Sequence, residues 1–293
     1  MSNKIIQTCQ HINCADILDK KFYPAWFFTN ERINYFFSEI EAAKNIRNVF
    51  SIGGSGDFAF SLLSSSQLGE IDEIAVCDIR QMACLTMDIK TSIIKNIHYE
   101  QILDLFLKRR LFGKQLLYQQ IRKTISPQSR KIIDSIFNNC KEDDFLECLK
   151  KSGYWYAKSF WQAKNRQDYL PYLDSKEKYR LLQNNLDKIS IYCGDFDKNL
   201  SLLKDGYYDL VYMSNILDHE NYCAMPKSYL KTVRKKLRKH GLLFVITQDN
   251  PAPLTTSMEG RGFRIHKKQL HRFSTIATLL GHFSYSFLLF RKS

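Results

Sequence analysis

The sequence predicts an α/β fold, a mainly parallel sheet covered by helices and interrupted by a helical insertion. Three observations carry this. Short apolar runs alternate with helical patterns in two separate zones, a glycine-rich turn follows the first run, and the stretch between the zones has helical periodicity only.

The first zone opens with VFSI (Val49 to Ile52), a short apolar strand broken by Gly-Gly-Ser-Gly, after which DFAFSLLSS reads as a helix. EIAVCDI (Glu73 to Ile79) is a second buried strand, and Met82, Leu85, Ile89 and Ile93 then recur at the spacing of one helix face. In the middle zone Tyr99, Ile102, Leu103 and Phe106 keep that period, as do Leu117, Ile121 and Ile125, and then Ile132, Ile133, Ile136 and Phe137. Ser126-Pro127 is a helix start with proline in the first turn. The third zone returns to strands at ISIYC (Ile189 to Cys193) and Asp209 to Met213. An amphipathic helix through Tyr229, Leu230, Val233 and Leu237 is expected to stop at Gly241. LLFVIT (Leu242 to Thr247) and FSYSFLLF (Phe283 to Phe290) complete the sheet. The expected organisation is an N-terminal segment 1–47, a sheet domain made of 48–97 and 188–293, and a helical cap 98–187 on the acceptor side.

Of the 293 residues 44% are hydrophobic and 25% charged, which suits a folded protein and excludes a disordered one. The net charge of +13 draws a chain toward phosphate-rich surfaces, although a Lys-, Asn- and Ile-rich usage produces the same excess with no partner. Eight cysteines occur with no Cys-x-x-Cys pair and no spacing for metal ligands, so no metal is expected. Scattered thiols suit a reducing compartment, and no stretch approaches the ~20 apolar residues of a membrane span or the core of a signal peptide. The expectation is a cytoplasmic protein, at most peripheral to the inner face of a membrane.

The chemistry-bearing positions cluster where strands end. Gly53, Gly54 and Gly56 with Asp57 form a strand-to-helix turn whose glycines let backbone approach a ligand and whose helix start offers N–H groups. The spacing is neither the dinucleotide G-x-G-x-x-G nor a phosphate loop. Asp78, with Ile79 beside it, ends the second strand. There a carboxylate either accepts hydrogen bonds from a ribose or caps the helix beginning near Gln81. Turn and acid together predict a Rossmann-type, nucleoside-binding sheet. After the third strand, Asp195 either meets an adenine amino group or caps a helix, and Phe196 is placed to cover the ring. The fourth strand runs into Ser214-Asn215-Ile216-Leu217-Asp218-His219. Strand ends in open sheets face the ligand crevice, which makes Asn215 a cofactor contact and Asp218 or His219 the candidate base.

Taken in order, SIGGSGD, AVCDI, YCGDF, YDLVYMSN and HGLLFVIT resemble the motifs of class I S-adenosylmethionine-dependent transferases, the methyltransferase-like fold. A narrower similarity is to the S-adenosylmethionine:diacylglycerol 3-amino-3-carboxypropyl transferases of betaine-lipid synthesis. It starts at Tyr23-Pro24-Ala25-Trp26 and passes through SIGGSGDFAFSLL, His98-Tyr99-Glu100, SPQSRKIIDSIF, GYWYAKSFWQAKNRQDYL and SNILDH to FSYSFLLFRK. The chain departs from that family at Phe27 to Glu31 and at Leu280 to Ser284.

The resemblance implies S-adenosylmethionine as cofactor, transfer of its aminocarboxypropyl arm to a lipid hydroxyl, and release of methylthioadenosine. In that scheme Tyr23 or Arg261 orients the arm. Arg261 stands in EGRGFRI, where a guanidinium free to fork would grip a carboxylate. Lys108-Arg109-Arg110 and the segment Lys231 to His240 would meet anionic lipid headgroups, or are the wet faces of helices. Trp155, Tyr156, Phe160 and Trp161 would line an acceptor entrance, or are core. Two rival readings stand beside this one. The first is a methyltransferase using the same pocket. The second is a basic nucleic-acid-binding protein on a degenerate sheet, against which no recognised nucleic-acid motif is present.

Overall fold

A computed structural model describes residues 5–6, 33–43, 45–107, 115–139, 166–214, 227–247, 251–272 and 284–293. Eight strands share one sheet: β1 (Ile5–Ile6), β2 (Asn48–Ile52), β3 (Glu73–Asp78), β4 (Ile189–Cys193), β5 (Tyr208–Tyr212), β6 (Leu237–Thr247), β7 (Phe263–Arg272) and β8 (Ser284–Lys292), in the order β1-β4-β3-β2-β5-β6-β8-β7. β1 pairs parallel with β4, β2 with β5 and β5 with β6, whereas β8 runs antiparallel to both β6 and β7. This is an α/β Rossmann-type sheet whose order turns back at β2, with an antiparallel hairpin at one edge.

By internal contacts the chain divides into two compact units. The first holds Met1–Tyr35, Gly53–Ser66 and Val76–Gly194, and the second Phe36–Ile52, Gln67–Ala75 and Asp195–Ser293. In the first unit the described residues after β3 are helical up to β4. They form α3 (Gln81–Asn96), α4 (Tyr99–Leu107), α5 (Gln115–Ile121), α6 (Pro127–Asn139), α7 (Lys176–Asn185) and short 3-10 turns at Arg166–Tyr169, Pro171–Leu173 and Leu186–Lys188, while α2 (Asp57–Leu63) of the same unit precedes β3. α6 begins where the Ser-Pro pair places it. Ser126 Oγ accepts the Ser129 N–H at 3.2 Å, a capping interaction that satisfies a donor the first turn leaves free.

α3 is buried nearly all round, so periodicity finds only part of its core. Leu85 and Ile93 are inside as expected, but so are the polar Thr86, Asp88, Lys90, Thr91 and Ser92. Asp88 reaches across to α6, accepting the Ser126 N–H at 3.1 Å, and burial raises its carboxyl above the ordinary range.

The second unit contains α1 (Asn34–Ala42, which enters from the first unit), α8 (Phe196–Leu202), α9 (Lys227–Lys236) and α10 (Pro251–Glu259). Its core is aromatic. Phe50 meets Phe196 edge-on with centroids 4.8 Å apart, Phe196 stacks on Tyr229 at 5.4 Å, and Tyr212, Phe244 and Phe287 continue the series. α9 stops at Lys236 rather than at Gly241. Gly241 instead lies against β5, where a Cβ would come 3.1 Å from the Tyr208 carbonyl oxygen, and it starts the regular part of β6 after a register shift. β7 has no counterpart in the sequence reading. Arg264, Ile265 and His266 are exposed along it, the charged surface expected of an edge strand rather than the apolar run of a central one.

Candidate cofactor site

The glycine turn and the end of β3 are held together by the backbone. Gly53 N–H donates to the Cys77 carbonyl at 2.6 Å, Gly56 N–H to the Gly53 carbonyl at 2.8 Å, and Gly54 N–H to Asp78 Oδ2 at 2.8 Å. Glycine is required here for two different reasons. A Cβ on Gly53 would lie 2.8 Å from Met87 Cε and 2.9 Å from Asp78 Cβ, closer than real atoms approach. Gly54 and Gly56 have open or softer surroundings but left-handed backbone, at φ +52° and +77°.

Asp78 is buried at the tip of β3. Its Oδ1 accepts the Arg80 N–H at 2.8 Å while Oδ2 takes that of Gly54. Burial pushes its carboxyl above the ordinary aspartate range, and the two backbone donors and the Arg80 charge pull back against that. Arg80, not Asp78, occupies the N-cap position of α3, and no side chain caps there. With one donor on each oxygen, the carboxylate keeps a lone pair per oxygen for a pair of hydroxyls. Next to it Ile79 is 60% exposed, a large apolar side chain facing outward at a strand end.

Behind the turn lies a cluster that sequence reading missed. Asp57, the first residue of α2, is wholly buried, so its carboxylate is no ligand contact. The Lys90 ammonium donates to Asp57 Oδ1 and, at 3.0 Å, to the Ser55 carbonyl, and the Tyr172 hydroxyl donates to the same Asp57 oxygen at 2.8 Å. Burial lowers the Lys90 pKa against the attraction of Asp57, and raises that of Tyr172 with Asp57 adding to the effect. Lys90 and Asp57 stand 33 positions apart, so no local pattern pairs them. Only packing shows that both are inside.

Other predicted residues have separate settings. In the second unit, Asp195 is the N-cap of α8, its Oδ1 accepting the Lys198 N–H at 2.9 Å. Phe196 does not serve as a ring cover, because its side chain is 2% exposed and packed between Phe50 and Tyr229. Arg261 is not free to fork: its Nη1 donates to the Ser257 carbonyl at 2.7 Å and to the Ser257 hydroxyl, fastening the end of its own helix. Tyr23, Asn215, Asp218 and His219 lie outside the described residues, as do Lys108 to Arg110 and Trp155 to Trp161. The chain enters the Asn215 segment through Ser214, a non-glycine residue at φ +48°, the kind of backbone strain that persists where surrounding structure enforces it.

Several solved structures are similar to this chain at low identity. N-methyltransferase NodS from Bradyrhizobium japonicum, in complex with S-adenosyl-l-homocysteine, is 10% identical with a TM-score of 0.40, over 89% of this chain and 85% of that one. A SAM-dependent methyltransferase from Aquifex aeolicus is 9% identical with a TM-score of 0.42, over 97% and 100%. Precorrin-6y C5,15-methyltransferase from Geobacter metallireducens is 10% identical with a TM-score of 0.41, over 94% and 95%. No family model and no curated protein matches the chain. Likenesses this distant leave the reading of the site to the chain's own geometry. That geometry fits a nucleoside. The cradle at Gly53 is one a Cβ would fill, a buried carboxylate retains acceptor capacity, and an apolar side chain stands beside it.

Proposed function

We propose that this chain is an S-adenosylmethionine-dependent transferase that moves the 3-amino-3-carboxypropyl group to a lipid hydroxyl. The observation that carries the cofactor is Asp78, buried and doubly held by Gly54 and Arg80, with Ile79 exposed at its side. Its remaining lone pairs suit the two hydroxyls of a ribose, and Ile79 offers a surface for an adenine. Bound there, S-adenosylmethionine would supply a carbon activated by the adjoining sulfonium. The chain's own part is to hold the nucleoside, orient the methionyl arm and take up a proton. Holding falls to the turn and Asp78, orientation to Tyr23 now that Arg261 is occupied by Ser257, and proton removal from the acceptor hydroxyl to Asp218 or His219.

The choice of the aminocarboxypropyl arm over the methyl group rests on the motif resemblance from Tyr23 to the final strand. The basic segment Lys231 to His240 supports a lipid acceptor, with Lys231, Arg234 and Lys239 exposed for contact with an anionic surface. No described helix is long and apolar enough to cross a membrane.

Mass spectrometry of the nucleoside product after incubation with S-adenosylmethionine and a lipid extract tests both levels. Methylthioadenosine is expected. S-adenosylhomocysteine would replace the finer reading with methyl transfer, and failure of calorimetry to detect binding would remove the cofactor.

A further inference from the structure

We infer that Lys90 is a positioning residue for the cofactor turn, fixing residues 54–57 from behind through Ser55 and Asp57, with Tyr172 as the third member of the clamp. The inference rests on the cofactor reading above and adds residues to which neither motif nor strand-end position points.

Lys90 grips the turn on both sides of Gly56. One bond holds the Ser55 carbonyl inward, which sets the orientation of the peptide leading into the left-handed Gly56. The other holds the carboxylate of Asp57. Gly54, on the outer side, is fixed separately by Asp78. Asp57, Lys90 and Tyr172 have no solvent exposure, and the ammonium sits 5.5 Å from the Phe60 ring centroid and 6.0 Å from that of Phe106.

So complete a burial of an ion pair is a poor stabilising device, since matched apolar side chains often serve stability equally well. What an apolar pair would not supply is a directed donor to the Ser55 carbonyl. The ion pair therefore specifies the shape of the turn. Tyr172 extends the clamp, because the 3-10 turn Pro171–Leu173 brings its hydroxyl to the oxygen that Lys90 also binds.

The test replaces the pair rather than breaking it. In Lys90→Met/Asp57→Leu the expected result is a melting temperature within a few degrees of the parent and a Kd for S-adenosylmethionine raised at least tenfold. An unchanged Kd in the folded double variant would overturn the inference. Should that variant fail to fold, Tyr172→Phe decides, since it removes one hydroxyl and leaves the ion pair. Amide exchange at 54–57 should then quicken severalfold with β3 protection unchanged, and unaltered exchange there counts against the clamp. Because exchange needs no ligand, a parent chain that does not bind S-adenosylmethionine defeats the cofactor reading without touching this result.

Discussion

Asp78 ends β3 and Asp195 stands two residues beyond β4, and in the sequence they look alike. Their surroundings separate them. Asp195 stands immediately before α8, so its carboxylate folds onto the third N–H of that helix and becomes a cap. Asp78 stands three residues ahead of α3. Arg80 takes the N-cap position, and the carboxylate turns instead to its own loop and to the glycine turn. Two extra loop residues, Ile79 and Arg80, decide whether an acid at a strand end caps the next helix or turns back onto the glycine turn.

Substitutions can sharpen the contrast. The largest effect on stability is expected behind the turn, where Lys90→Met strands a buried carboxylate and a buried carbonyl. Denaturant unfolding should show a loss of about 3–5 kcal/mol. Next comes Gly53→Ala. The new methyl must displace Met87 or Asp78, at a cost of about 1–3 kcal/mol together with loss of cofactor binding, whereas Gly54→Ala meets no neighbour and bears only its left-handed backbone, about 1–2 kcal/mol. Calorimetry and thermal melts on the two variants check this pairing.

Asp78→Asn should weaken S-adenosylmethionine at least tenfold, and it should also change the pH dependence. Burial raises the Asp78 carboxyl, so the folded chain protonates it at a pH where the unfolded chain is still ionised. Its contribution to stability is thus full below the unfolded value and lost as pH rises through the raised one. Ribose hydroxyls need the ionised form as acceptor, so affinity runs the other way. It should fall on acidification, starting above the usual aspartate range, and the asparagine variant should lose that dependence. A titration of Kd between neutral and mildly acid pH gives the outcome. Smallest is Asp195→Ala, which removes only a cap and should cost about 1 kcal/mol in a chemical melt. A tenfold loss of cofactor affinity there, matching that of Asp78, would erase the distinction between the two acids.

Much of the sheet was legible because buried strands such as β3 and β4 are short apolar runs flanked by breakers, and Ser126-Pro127 announces α6. β7 was not, since an edge strand wears charges. Gly241 was misplaced because a glycine after a helix and a glycine under a carbonyl look the same in one dimension. At the site, the turn and Asp78 could be paired from spacing alone. Asp57 and Phe196 follow strand ends, the position from which a ligand contact is expected, while their side chains are buried in the core.

Sequence alone determined where β2 to β5 end and which residue types stand at those ends, because local periodicity and backbone freedom are written residue by residue. Tertiary structure decided which carboxylate is bonded by which donor. It enclosed Lys90 behind the turn and set Tyr172, 115 positions along the chain from Asp57, on the same oxygen. Burial and hydrogen bonding depend on what packs alongside, and a one-dimensional pattern holds no record of that.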